Sequence, residues 1–252
     1  MKVRILGVAC SPRHGNTEVL VKEALRAAEE LADTETDFIT LAGKKIEPCD
    51  SCYKCFGAKA KEPCPPYDDD FNSLVPHFAA ADGFIMGVPV YYGDVTAQFA
   101  ALRDRLMVFE VSQLGPLGLR NKPVGAVTVA YDRQGGQESV CMSLARWALT
   151  TDMVVVSVGP ERPVDFGIGG YYGCMATECW HPNAPNPKVW GEKMNSKEEL
   201  EIINKDKAGM FAARCIGWRV TELAKVIKVG FQKLPENERH WPPGAAGGYT
   251  TL

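Results

Sequence analysis

Four cysteines fall within 16 residues, in the order Cys49-x2-Cys52-x2-Cys55-x8-Cys64, and Pro65 follows the last. Thiolates at this spacing allow one loop to wrap a metal centre. A C-x2-C-x2-C run sets three ligands around an iron–sulfur cubane, and a more distant fourth thiolate closes it. The same donors suit a four-cysteine zinc site, and free thiols or a disulfide are the metal-free reading. Lys44, Lys45, Lys54, Lys59 and Lys61 surround the run. Their charges would lower thiolate pKa or offset a cluster's negative charge, or would form a solvated loop face.

A second segment has the chemistry of an anion site. Cys10-Ser11-Pro12-Arg13-His14-Gly15-Asn16-Thr17 separates an apolar run, Val3–Ala9, from a stretch with helical periodicity, Thr17–Ala32. The start of a helix offers unpaired N–H groups and the positive end of the dipole. Ser11, Asn16 and Thr17 add side-chain donors, Arg13 a fixed charge, and Gly15 close backbone approach. The Gly-Lys-Ser/Thr element of triphosphate loops and the G-x-G-x-x-G of dinucleotide sites are both absent, so a single phosphate is the better match. A βα turn with a Ser/Asn cap would use the same residues. A third segment, Pro89-Val90-Tyr91-Tyr92-Gly93-Asp94, combines a strand exit, two aromatics able to stack on a flat heterocycle, and a glycine turn.

The elements that must position these residues follow from periodicity. Val3–Ala9, Glu35–Leu41, Gly83–Val90, Pro123–Ala130 and Met153–Val158 read as buried strands. Thr17–Ala32, Phe71–Ala81, Thr96–Phe109, Glu138–Thr150 and Lys205–Val229 read as helices. Alternation of the two types predicts an α/β fold, a doubly wound five-stranded parallel sheet. Such sheets bind ligands beyond the carboxyl ends of their strands, which places loops 10–17, 89–96 and 131–137 at the site. Residues 42–70 form a Cys-rich loop. Residues 159–204, rich in Gly, Pro, Tyr and Trp, form a long loop insertion before the last helix, in the manner of a lid. The domain is expected to span 1–230, with an extended C-terminal tail over 231–252.

With 46% hydrophobic and 23% charged residues, the composition is that of a soluble globular protein, and the net charge is −3. No basic block provides a nucleic-acid footprint. No apolar run reaches the roughly 18–20 residues that span a bilayer, and the N-terminal apolar stretch runs straight into the polar loop without a leader-like cleavage region. A cytoplasmic protein is expected. Cys10, Cys141 and Cys215 fall on core faces, and Cys174 and Cys179 lie in the insertion, where packing is the simpler role. Arg103-Asp104-Arg105 reads as structural or as a subunit contact. His14 adds a possible phosphate donor, and His181 sits in an aromatic, Pro-rich loop.

The motifs SPRHGNT, IEPCDSCYKC, PVYYGDVTAQFAALRDR and GGQE together resemble the NAD(P)H-dependent FMN reductases and iron–sulfur flavoproteins, relatives of flavodoxin. The resemblance covers roughly residues 1–160 and the last helix. It implies a flavodoxin-like fold and FMN, with Ser11, Arg13, Gly15, Asn16 and Thr17 on the phosphate. Pro89, Val90, Tyr91, Tyr92, Gly93 and Asp94 would border the isoalloxazine ring, with Gly135, Gly136 and Gln137 at its other edge. It also implies a [4Fe–4S] cluster on Cys49, Cys52, Cys55 and Cys64, NAD(P)H or ferredoxin as donor, a small-molecule acceptor, and a homodimer or homotetramer. A cluster-free NAD(P)H:quinone or FMN reductase and a non-catalytic flavodoxin-like carrier are the alternatives.

Overall fold

The computed structural model describes residues 1–59, 61–112, 114, 118–159, 170–177, 203–235 and 238. The order is β1 (Val3–Ala9), α1 (Asn16–Glu29), β2 (Thr34–Thr40), α2 (Phe71–Ala80), β3 (Gly83–Pro89), α3 (Ala97–Arg105), α4 (Val108–Val111), β4 (Pro123–Ala130), α5 (Gln137–Thr150), β5 (Val154–Val156), β6 (Cys174–Thr177) and α6 (Lys207–Lys233). The strands form one parallel sheet in the order β2-β1-β3-β4-β5, and β6 also pairs with β4.

Helices cover both faces because the central strands are apolar on both. Every residue of β3 and β4 is buried, whereas β2, at the edge, is mostly half-buried. Side chains alternate between two cores. Val3, Ile5 and Ile85 pack with α1 and α6, and Leu6, Val8, Phe84 and Met86 pack with α2, α3 and α5. The α1–α6 contact is so close that a Cβ on Gly217 would stand 2.0 Å from the Ala24 carbonyl oxygen. That crossing sets where the N-terminus of α1 emerges above the sheet.

The described part of the insertion adds one element to the expected loop. It contains strand β6, in which Cys174–Thr177 pairs with Val127–Ala130, while β5 pairs with Pro123–Gly125 further down the same strand. The fifth sheet position is thus made of two segments. Its upper half stands beside the carboxyl end of β4, where ligands bind in such sheets. β6 has only four residues and no alternation long enough to be read as a strand. Other boundaries shift as well. The helix expected over Thr96–Phe109 divides into α3 and α4, and α6 runs four residues beyond Val229 and three into the expected tail. Among the described residues no helix is long and apolar enough to cross a membrane.

Candidate functional site

Backbone and hydroxyl contacts draw the three predicted loops together above the sheet. Thr96 caps α3 by accepting from the Phe99 N–H, and it donates its own hydroxyl to the Cys10 carbonyl at 2.8 Å. This ties the 89–96 loop to the start of the phosphate loop. Gly136 packs against Gly93 so closely that a Cβ would lie 2.5–2.7 Å from Gly93 backbone atoms. Gly136 also has φ +111°, a conformation that disfavours any side chain. The 131–137 and 89–94 loops therefore meet backbone to backbone.

In the phosphate loop, Ser11, Asn16 and Thr17 are buried and Arg13 and His14 are exposed. Gly15 occupies the N-cap of α1 and supplies no side chain to cap the positive end of the helix. Ser11 Oγ accepts from the Arg13 N–H at 3.2 Å and shapes the turn. His14 is turned toward Glu18, 2.7 Å away, instead of across the loop. Burial raises the Glu18 carboxyl, but hydrogen bonds from Thr40 and His14 outweigh it and leave the pKa below the ordinary value. A cleft of about 570 Å³ flanks α1 on this side, lined by His14, Gly15, Glu18, Lys22, Arg26 and Thr36.

At the second loop, Pro89 and Val90 end the strand, and Tyr91 and Asp94 exchange two backbone hydrogen bonds of 2.9 and 3.1 Å. The two residues between them, Tyr92 (φ +48°) and Gly93 (φ +81°), make a tight turn with left-handed backbone at both positions. Tyr92 is fully exposed and Tyr91 is 44% exposed. A bulky residue held at positive φ and out in solvent carries backbone strain for no packing gain. No atom lies within 4 Å of a Cβ built on Gly93, so this side of the turn is open.

Gln137 starts α5 directly after Gly135 and Gly136. Its side chain is buried, its Oε1 accepts from the Gly135 N–H at 2.9 Å, and its Nε2 donates to the carbonyls of Asp132 (2.8 Å) and Ala176 (3.4 Å). The amide organises the loop and fastens it to β6. Tyr131, Asp132 and Arg133 on the same loop are exposed.

The Cys-rich segment is a loop stapled at both ends. Asp70 accepts from the Lys45 N–H at 2.7 Å and Asp69 from the Glu47 N–H at 2.8 Å. Ser51 (φ +58°) and Tyr53 (φ +58°) fold the Cys49–Cys55 backbone tightly, and Asp50 accepts from the Cys52 N–H. Asn72 holds Cys64 through a reciprocal pair of hydrogen bonds, 3.1 and 2.9 Å. Cys55 and Cys64 are buried, Cys49 is half-buried and Cys52 is exposed. Burial raises the Cys55 thiol, and the proximity of Cys64, Cys49 and Cys52 adds to it. The four sulfurs share one neighbourhood, yet among the described residues no three His, Cys, Asp or Glu side chains converge closely enough to hold one metal ion. Zinc would need four sulfurs about 2.3 Å from one point. A cubane places each thiolate on a different iron and tolerates a wider set.

Sequence reasoning missed Arg105 as a member of this neighbourhood. Of the five lysines around the cysteines, Lys45, Lys54, Lys59 and Lys61 are exposed and Lys44 is half-buried. Arg105, from the end of α3, has a side chain with no solvent exposure, ion-paired to Asp69 and over the rings of Tyr67 and Phe71 at 4.4 and 4.2 Å. Burial pushes the Cys64 thiol up, and the Arg105 guanidinium draws it part of the way back. A helical arginine 41 residues beyond the last cysteine leaves no local signal. Cys10, Cys141 and Cys215 are buried as expected, and burial pushes Cys141 up to about 12. Cys174 is a buried residue of β6, whereas Cys179 and His181 lie outside the described residues.

Comparison with known proteins agrees with this architecture. The family model for NADPH-dependent FMN reductase matches residues 3–159. An iron–sulfur flavoprotein of Methanocaldococcus jannaschii is 34% identical over 227 residues, 90% of this chain and 100% of its own. One from Archaeoglobus fulgidus is 37% identical over 225 residues, 89% and 98% of the two chains. A flavone reductase structure superposes with a TM-score of 0.58 at 19% identity, over 89% of this chain and 64% of that one. A structure of RosB does so with 0.60 at 13% identity, over 90% and 81%. The three converging loops, the doubly wound sheet and these likenesses lead to one conclusion: the chain belongs to the NADPH-dependent FMN reductase family of flavoprotein oxidoreductases, with iron–sulfur flavoproteins among its relatives.

Proposed function

We propose that the chain is an FMN-dependent oxidoreductase of the iron–sulfur flavoprotein type, moving electrons between NAD(P)H or reduced ferredoxin and a small acceptor such as a quinone or an oxygen species. The observation that carries this reading is the joining of the three loops, through Thr96 to Cys10 and Gly136 against Gly93, beside an uncapped helix N-terminus. Ser11, Arg13, Gly15, Asn16 and Thr17 would hold the phosphate. Pro89 to Asp94 would border the ring, with Gly135 and Gly136 at its other edge and Gln137 holding that loop in place. FMN, when bound, supplies hydride and single-electron transfer. The residues named here position it and keep the loop dipoles around it.

Cys49, Cys52, Cys55 and Cys64 would hold a [4Fe–4S] cluster. Two of the four are buried and two lie nearer the surface, and three cysteines at C-x2-C-x2-C with a more distant fourth are the spacing that wraps a cubane. The names of the relatives point the same way. Helix α3 links the two centres, because its first turn follows the ring loop and its last residue, Arg105, is ion-paired to Asp69 at the end of the Cys-rich loop. Nine residues of helix span roughly 14 Å. Tyr91, Tyr92 and Tyr131, on the loops that follow β3 and β4, are exposed, a surface suited to a second copy in a homodimer or homotetramer.

The test is anaerobic titration of the purified protein with NADPH, NADH and reduced ferredoxin, following flavin and cluster absorption. Bleaching of both chromophores by one donor at catalytic rates is the expected result. Flavin that no donor reduces would overturn the oxidoreductase assignment, and flavin without iron would leave a cluster-free reductase.

A further inference from the structure

We propose that Thr177 is a positioning residue for the flavin: its hydroxyl, fixed in place by the buried Asp206 carboxylate, sets the 131–137 loop against the Gly93 turn. The inference rests on the flavin reading above. β6 pairs with Val127–Ala130, so Thr177 stands level with the end of β4. Thr177 is buried, and its Oγ1 donates to the Tyr131 carbonyl at 3.2 Å, where the 131–137 loop begins. Its backbone N–H donates to Asp206 Oδ2 at 2.9 Å. Asp206 is 2% exposed and caps α6, with Oδ1 accepting from the Gly209 N–H at 2.9 Å. One carboxylate oxygen thus holds β6 and the other holds the start of α6. The two elements are close elsewhere too. Cys174 Sγ donates to the Gly209 carbonyl at 3.2 Å, and a Cβ on Gly209 would lie 2.7 Å from the Cβ of Ala176.

The far end of the same loop is tied to β6 as well. Gln137 Nε2 donates to the Asp132 carbonyl at 2.8 Å and to the Ala176 carbonyl at 3.4 Å. Tyr131 and Gln137 are the two pins, and Gly136, between them, is the residue that meets Gly93 backbone to backbone. Hydrogen bonds to an ionised acceptor are the strong ones, and a buried carboxylate left without its donors costs more than a neutral group. The brace therefore starts at Asp206 and runs outward through Thr177 to the ring edge. Without the hydroxyl the loop regains freedom at one pin, and a flavin that needs the Gly93–Gly136 contact must remove that freedom on binding.

The experiment titrates the full-length apoprotein with FMN and follows quenching of flavin fluorescence. Thr177→Val removes the hydroxyl at nearly equal volume, and Thr177→Ser keeps it. Thr221→Val is the control, because it removes a buried hydroxyl that is donated within α6, to the Gly217 carbonyl at 2.8 Å. Thr177→Val should weaken FMN about fivefold, the net worth of one hydrogen bond, with Thr177→Ser and Thr221→Val close to wild type. A Thr177→Val loss no larger than that of Thr221→Val, or an equal loss in Thr177→Ser, overturns the assignment. Hydrogen exchange on the wild type needs no variant to fold. FMN should slow exchange of the Thr177 amide, which the Asp206 carboxylate accepts, together with that of residues 131–137. Slowing that leaves the Thr177 amide unchanged overturns the assignment. Wild-type protein that takes up no FMN defeats the flavin reading itself, a result distinct from FMN bound with equal affinity by Thr177→Val.

Discussion

Replacing Gly136 with alanine separates the flavin-site reading from a general loss of stability. The added Cβ would stand 2.5 Å from the Gly93 carbonyl oxygen and 2.6 Å from its Cα. Both are backbone atoms, so one loop must move. The residue would also keep φ near +111°, where an L side chain costs about 1–3 kcal/mol. If FMN requires the two loops in contact, binding must restore that contact at a cost of at least about 2 kcal/mol, which lowers affinity about 30-fold. Gly43→Ala is the control. Gly43 has φ +75°, comparable backbone strain, but a Cβ there meets nothing within 4 Å, and the residue lies outside the three loops. Titration of the apoprotein with FMN by fluorescence quenching, with thermal unfolding alongside, should show both variants destabilised and only Gly136→Ala weakened for FMN. Gly136→Ala with affinity within twofold of wild type would refute the reasoning.

Three further outcomes follow from the same contacts. Arg13→Ala should weaken FMN about tenfold while leaving riboflavin affinity nearly unchanged, since a phosphate contact is worth about 1.5–3 kcal/mol when charged; equal losses for both ligands would remove Arg13 from the phosphate. Gln137→Leu strips partners from the Gly135 N–H and the Asp132 carbonyl and should cost about 1–3 kcal/mol in urea unfolding, with weaker FMN binding. Lys122 supplies a pH signature. Its Nζ faces the carbonyls of Phe78 and Ala79 at 3.4 and 3.3 Å, and burial lowers its pKa to about 8. The unfolded chain holds this proton up to about pH 10.4. Between those values the unfolded state binds more protons, so this group makes stability rise from pH 8 to 10.4, and Lys122→Met should flatten that rise in urea midpoints.

The fold was legible where burial on two faces leaves continuous apolar runs. Val3–Ala9 and Pro123–Ala130 are strands with the bounds expected from the residues alone. It was not legible at Cys174–Thr177, where a four-residue strand depends on the edge that β4 presents and not on its own pattern. The loops that follow the strands were legible because glycine, proline and hydroxyl residues mark strand ends. Their mutual contacts were not, since Gly136 meets Gly93 and Thr96 meets Cys10 only once the sheet aligns them. Arg105 illustrates the same limit. From the residues alone it reads as structural or as a subunit contact, and only the fold shows Asp69, Tyr67 and Phe71 enclosing it.

Anaerobic purification followed by flavin, iron and acid-labile sulfide analysis tests the central claim most directly. The account predicts one FMN per chain with about four irons and four sulfides, the metal lost in Cys55→Ser and the flavin retained. A protein that neither contains flavin as isolated nor binds added FMN would contradict it.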